Sequence, residues 1–209
     1  MDPRERDRAV VDAAWRVLTR DGLAALSVRN VAAEAGLAPS SLRYTFPTQA
    51  SVRERAVEVV LDRLHARVAA IPDLPDGRAW ARAALLELLP LDAERHTEME
   101  VSLALGTAAM TDPALRPAHH AATAAVREVC SRAAAALGRT GEVDTDHLHA
   151  LVDGLALHVV RRTREQDTTW AVRVLDAHLA TLARTRRPTA EASPDGHPRQ
   201  APAAAARTT

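Results

Sequence analysis

Val10, Ala13, Ala14, Val17 and Leu18 recur at the i, i+3, i+4, i+7, i+8 spacing of an amphipathic helix, and Arg20-Asp21-Gly22 ends it. A shorter pattern follows. Val28, Val31 and Ala32 share one helical face, and Ala35 extends it by a turn. Ser27 stands just before this run, where its hydroxyl caps a first turn. Gly36 stands just after it, where a left-handed backbone closes a helix. Pro39 fits the first turn of a third helix, where its missing N–H is not needed. In that helix Leu42 and Phe46, spaced i, i+4, face inward, which leaves Ser40, Ser41, Arg43, Tyr44 and Thr45 outward. Packing alone poorly explains so short a helix with so little apolar surface. Three helices in this order, the third polar outside, predict a helix-turn-helix whose last helix enters the major groove of DNA.

The remaining pattern is helical too. Thr48 caps a fourth helix to about Ile71, with Val52, Ala56, Val59, Val60 and Leu64 as its inner stripe, before Pro72 and Pro75 break the chain. Further helices are predicted over Gly77–Leu89, Ala93–Met110, from Asp112-Pro113 toward Leu137, from near Asp144, and over Thr168–Thr185. The fold class is therefore all-α, with about nine helices. Residues 1–47 form the helix-turn-helix domain, and the helix from 48 to 71 links it to a regulatory and dimerisation domain spanning 48–187. Residues 188–209, rich in Pro, Ala and Thr without periodicity, are read as a disordered tail.

Composition adds limits. Few β-branched or aromatic runs occur, which disfavours a sheet. Lysine is absent and the formal net charge is zero, so overall charge lends no support to nucleic-acid binding. The single Cys130 excludes an internal disulfide and fits a reduced, cytoplasmic setting, with a small buried hydrophobe as its expected role. No signal peptide opens the chain and no apolar stretch spans a bilayer, so no membrane partner is expected. All nine histidines fall at residue 65 or later. His119-His120 and His147-x-His149 point apart on a helix, no zinc spacing occurs, and no metal or cofactor is expected. No phosphate loop, dinucleotide fingerprint or nucleophile elbow is present, which argues against an enzyme.

Residues 5–60 resemble the DNA-binding domain of the TetR family. The resemblance rests on Ala13-Ala14, Asp21-Gly22, Leu26-Ser27-Val28, Val31-Ala32, Ala35-Gly36, Leu42, Tyr44 and Phe46-Pro47. Two positions depart: Thr45 stands where the family commonly has histidine, and Gln49 where it has lysine, both usually phosphate contacts. Leu151-Val152-Asp153-Gly154-Leu155-Ala156-Leu157 with Val174-Leu175-Asp176-Ala177-His178-Leu179 resembles the C-terminal dimerisation region of the subgroup that includes the betaine-synthesis repressors.

That resemblance implies a homodimeric regulator, most often a repressor, released from DNA by a small-molecule effector. Two recognition helices about 34–36 Å apart, or a multiple of that, would read a near-palindromic operator. Ser40, Ser41 and Arg43 are assigned to base edges or adjacent phosphates, and Tyr44 to phosphate; Pro39 and Thr45 are assigned to the same DNA-binding surface. Ser27 and Arg29 would hold the DNA backbone, and Gln49 would donate from the start of the fourth helix. Arg4, Arg6 and Arg8 form either a minor-groove arm or, beside acids of matching number, a solvated one. Position suggests Trp80, His96, Met99, Glu100, Leu103, His120 and His158 as the ligand cavity. With Trp80 the only aromatic between residues 47 and 169, an aliphatic or small polar ligand fits better than a stacked flat cation. Leu151, Gly154, Leu155, Leu175, His178, Leu179 and Leu182 are expected at the dimer interface. The rival reading is a helical scaffold or adaptor that keeps the turn only as packing.

Overall fold

The amino-terminal amphipathic run folds as α1 (Pro3–Asp21) in the computed structural model, which describes residues 3–74, 76–163 and 165–184. The arginine-bearing arm is therefore helical from Pro3 onward. Gly22, at φ 77°, lets the chain leave α1 into a 3-10 turn at Leu23–Ala25. α2 (Val28–Glu34) begins on Ser27, whose hydroxyl accepts the Asn30 N–H at 3.2 Å. Its end is a Schellman closure: the Leu37 N–H reaches the Ala32 carbonyl and the Gly36 N–H the Ala33 carbonyl, with Gly36 at φ 66°. α3 (Pro39–Thr45) starts on Pro39 as expected. α4 (Gln49–Ala69) opens with a reciprocal cap, Ser51 N–H to Thr48 Oγ1 at 3.0 Å and Thr48 N–H to Ser51 Oγ at 3.2 Å.

Five further helices follow: α5 (Gly77–Leu86), α6 (Ala93–Thr111), α7 (Arg116–Ala136), α8 (Glu142–Val160) and α9 (Thr169–Arg184). Among the described residues there is no strand. Two boundaries differ from expectation. α5 stops at Leu86 rather than Leu89, because the Glu87, Leu88 and Leu89 amides turn back to carbonyls three residues earlier and tighten the chain. Asp112-Pro113 does not open α7 but a separate 3-10 turn at Pro113–Leu115, where the Asp112 carboxylate accepts the Ala114 N–H at 3.0 Å. The sequence assigned to a disordered tail lies outside the described residues.

Burial organises these elements around two main cores. The first joins Val10, Ala13, Val17, Val31, Leu42 and Phe46 of the three amino-terminal helices to Val52 and Ala56 of α4, and continues into Val101, Leu105 and Ala109 of α6. The three-helix unit thus shares apolar packing with the body rather than hanging on a linker. The second gathers Ala81 and Leu85 of α5, Cys130 and Ala133 of α7, Leu148 and Val152 of α8, and Leu175 and Leu179 of α9. Cys130 is fully buried here, and burial pushes its thiol up to about 12, with the Asp153 charge adding to the effect. It is the inert buried hydrophobe the sequence suggested.

α5 and α7 approach so closely at one end that a side chain at Gly77 would press into the Ala136 backbone carbonyl. Gly77→Ala is therefore expected to destabilise the fold by about 1–3 kcal/mol, the usual range for overpacking. Urea unfolding checks this; an unchanged midpoint would count against the close approach.

Candidate nucleic-acid interface and ligand cavity

α3 is fixed from beneath and offered outward. Leu42 and Phe46 are buried, while Pro39, Ser40 and Arg43 are exposed and Ser41 is half-buried. The side chains of Tyr44, Thr45 and Gln49, also assigned to DNA, lie outside the described part of the structure. Arg29 on α2 is exposed beside this surface, and the Ser27 hydroxyl is engaged in capping α2. Arg6, read above as part of an arm, instead donates from Nη2 to the Ser41 carbonyl at 2.5 Å and so ties α1 to α3. Arg16 and Arg20 of α1 both bond Glu34 at the end of α2, at 2.7 and 2.9 Å. These bonds, Arg16 first, hold the Glu34 carboxyl below its ordinary range. The arginines nearest the turn thus split into two groups: Arg6, Arg16 and Arg20 brace the head, and Arg29 and Arg43 face solvent.

Behind the head, Arg63 of α4 stacks on Trp15 of α1, 3.9 Å from the ring centroid, and pairs with Glu94 of α6. The same helix reaches a cavity of about 280 Å³ farther along. Val60, Leu61, Leu64 and Arg67 of α4 form one wall; Met99, Ser102 and Leu103 of α6, His119 and Val126 of α7, and His149, Val152, Asp153 and Leu157 of α8 form others. Met99 and Leu103 were expected here. Trp80 instead packs between the cores, under the Arg132 guanidinium at 5.0 Å. His96 faces a separate recess of about 80 Å³, and Glu100 pairs with it at 3.4 Å away from the cavity. His120 and His158 are exposed; the cavity takes their near neighbours His119 and Leu157 instead. The cause is helical phase, since adjacent residues point about 100° apart.

The polar part of the wall was missed by sequence reasoning. Arg67 holds Glu98 through two bonds, 2.9 and 2.7 Å, and Glu87 at 3.0 Å. Arg95 bonds Asp92 at 2.8 Å, the Leu86 carbonyl at 2.9 Å and Glu87 at 3.4 Å. Burial opposes the charge on Arg67, but Glu98 and Glu87 outweigh it, and its pKa is raised. On the α8 side His149 Nε2 lies 3.4 Å from Asp153 Oδ2.

The outer faces of α8 and α9 divide the expected interface residues. Leu151 is half-buried, and nothing lies within 4 Å of where a Gly154 Cβ would stand. Val143 of α8 and Val174 of α9 are 65% and 43% exposed. Leu155, Leu175 and Leu179 point the other way and are buried in the second core, and Leu182 packs against it. Their apolar stripe therefore closes the subunit, a correction to their assignment as contact residues. His178 is half-buried, with its pKa lowered by burial and then by His147 and Arg139. Its folded value sits below the ordinary 6.5, so its stabilising contribution is complete above about pH 6.5 and is lost as pH falls through the folded value. The melting temperature is expected to drop between pH 7.5 and 5.5, and His178→Gln to narrow that drop.

Comparisons with known proteins agree with this architecture. Residues 10–56 match the description "Bacterial regulatory proteins, tetR family", and residues 77–184 match "BetI-type transcriptional repressor, C-terminal". The chain is 28% identical over 189 residues to the HTH-type transcriptional regulator PksA of Bacillus subtilis (strain 168), covering 87% of this chain and 92% of PksA. A transcriptional regulator from Rhodococcus sp. Rha1 superposes with a TM-score of 0.72 at 26% identity, covering 85% of this chain and 95% of that one. The multidrug binding protein EbrR, solved with imidazole, superposes at 0.65 with 33% identity, covering 85% and 90%. The chain belongs to the TetR family of bacterial transcriptional regulators, with a carboxy-terminal region of the BetI type.

Proposed function

We propose that this chain is a homodimeric transcriptional repressor of the cytoplasm that binds a near-palindromic operator through α3 and is released when a small molecule enters the cavity. One observation carries the reading: α4 begins just after the recognition helix, on the Thr48 cap, and its later turns supply Val60, Leu61, Leu64 and Arg67 to the cavity wall. A ligand that seats better with α4 displaced shifts the head. Differential affinity of about 5.5 kcal/mol carries such an equilibrium from 1:99 to 99:1. Arg43, Ser40 and Ser41 read or position on DNA, with Arg29 on the backbone. The free space at Gly154 on α8 and the exposed Val174 on α9 support pairing of these helices with those of a second copy, giving two heads.

EbrR has also been solved with ethidium and with proflavin, which supports a small-molecule effector for this chain. Among the described residues the cavity wall carries only His119 and His149 as ring-bearing side chains, which favours an aliphatic or small polar body over a stacked flat one.

Selection of genomic fragments by the purified full chain tests the proposal. The expected result is one or a few retained fragments with two protected half-sites, and retention that falls steeply as salt rises. A helical scaffold would retain none, and binding indifferent to salt would overturn the assignment of arginines to phosphate.

A further inference from the structure

The aim of α3 decides which bases are met, and its footing is thin. It is seven residues long, well under the ~12–15 at which a helix holds itself in water. α2 and α4 open on the capping hydroxyls of Ser27 and Thr48, whereas α3 opens on Ala38, which gives no side-chain bond. Its buried anchors are Leu42 and, at its end, Phe46, one turn apart on one face. A helix gripped along a single line is free to roll about it. Side chains end about 5–6 Å from a helix axis, so a roll of ~10° carries Ser40 and Arg43 about 1 Å sideways. That exceeds the roughly 0.5 Å within which a recognition geometry has to be held.

Arg6 supplies a second grip. From α1, 35 residues earlier, its Nη2 donates to the Ser41 carbonyl at 2.5 Å in a half-buried setting. Ser41 stands about 100° round α3 from Leu42, so this bond holds the helix away from the Leu42–Phe46 line. A carbonyl has two lone pairs, which lets the arginine bond without displacing the helix's own ladder. The positive charge on the guanidinium makes it a strong donor. Resting on the reading of α3 as the recognition helix, we propose that Arg6 is a specificity-determining positioning residue: it fixes the roll of α3, and thereby how well an operator is told from other double-stranded DNA.

The place of Arg6 on α1 supports this. It stands one turn before Val10 on the stripe that Val10, Ala13 and Val17 bury, so the side chain runs inward along the core face. An arginine there needs a partner, and among the described residues it makes no ion pair; its bond goes to the backbone of α3. At the other end of α1, Arg16 and Arg20 hold Glu34 at the end of α2. α1 is thus a strut with one grip on each helix of the turn. The Arg16 and Arg20 side chains are 52% and 59% exposed, so water weakens their pairs, while the Arg6 bond is better shielded.

Arg6→Met and Arg6→Lys in the full chain test the proposal. Methionine keeps an apolar stem and cannot donate; lysine keeps a charge and a donor. Anisotropy compares the selected operator with a scrambled duplex across a range of salt. Arg6→Met is expected to weaken operator binding about tenfold or more, to leave the scrambled duplex within about twofold, and to keep the slope of log affinity against log salt. Arg6→Lys is expected to recover most of the lost margin. In the free protein, hydrogen exchange at the α3 amides is expected to quicken about tenfold in Arg6→Met, with the amides of α5 to α9 unchanged.

If operator and scrambled duplex weaken by the same factor and the salt slope falls by about two units, one per head, Arg6 is a phosphate contact. DNA binding then stands and the proposal is overturned. An Arg6→Met chain that discriminates as well as the parent overturns it too, as does an Arg6→Lys chain no better than Arg6→Met. If the parent itself prefers no sequence, the reading of α3 falls and takes the specificity assignment with it; quickened exchange would then still show the brace.

Discussion

The double substitution Ser40→Ala, Arg43→Ala is expected to weaken operator binding on the order of a hundredfold or more while leaving the melting temperature within a degree or two. Both side chains are exposed on α3, so their removal uncovers no core; Leu42 and Phe46, which anchor the helix, stay in place. A lost base contact costs about 1–3 kcal/mol, and in a dimer each loss occurs at both half-sites. Two effects then separate by salt. If Arg43 meets phosphate, the slope of log affinity against log salt falls by roughly one unit per contact removed. If it meets a base edge, discrimination between operator and scrambled DNA falls more than the slope does. Fluorescence anisotropy on the selected fragment at several salt concentrations measures both. Binding within twofold of the parent chain would show that α3 does not read DNA.

Arg67→Met is the substitution expected to cost most in stability, about 3–5 kcal/mol by urea unfolding. Its guanidinium joins α4 to Glu98 on α6 and to Glu87 beyond α5. Glu98 is nearly closed to water, so removing the cation leaves a carboxylate that solvent reaches poorly. The exposed pairs offer a contrast. Arg127–Asp146, 43% and 60% exposed at its side chains, is expected to yield no more than about 1 kcal/mol when broken. The combination Arg67→Met, Glu98→Leu is expected to recover much of the loss, because replacing a buried pair whole is far cheaper than orphaning one member. A single Arg67→Met variant as stable as the parent would mean that water reaches Glu98 after all.

The reading head was legible in the sequence because its determinants are local. Ser27 caps the helix that starts beside it, Gly36 takes the left-handed turn that only its own backbone needs, and Pro39 opens the next helix. Each signal acts within four residues. The cavity draws its wall from helices far apart in the chain, and membership turns on helical phase. Met99 and Leu103 line it, yet His96 and Glu100 on the same helix face elsewhere, and His119 rather than His120 turns inward. The ion pairs of Arg67 were invisible for a related reason: Glu87 and Glu98 lie 20 and 31 residues away, and nothing local marks them as partners. In α8 and α9 the period was right, but one leucine stripe serves the subunit's own core; the open face is marked by Gly154 and Val174.

Arg63 offers a lever of a different kind. It touches neither the recognition helix nor the cavity wall, yet it joins Trp15 of the head to Glu94 of the body through α4. On the proposed function, a chain altered only there is expected to keep its grip on the operator and its taste for the effector while losing the conversation between them, a permanently silent gene whose inducer still binds. On that proposal, responsiveness is a third heritable trait, free to drift or to be engineered without retuning either of the other two.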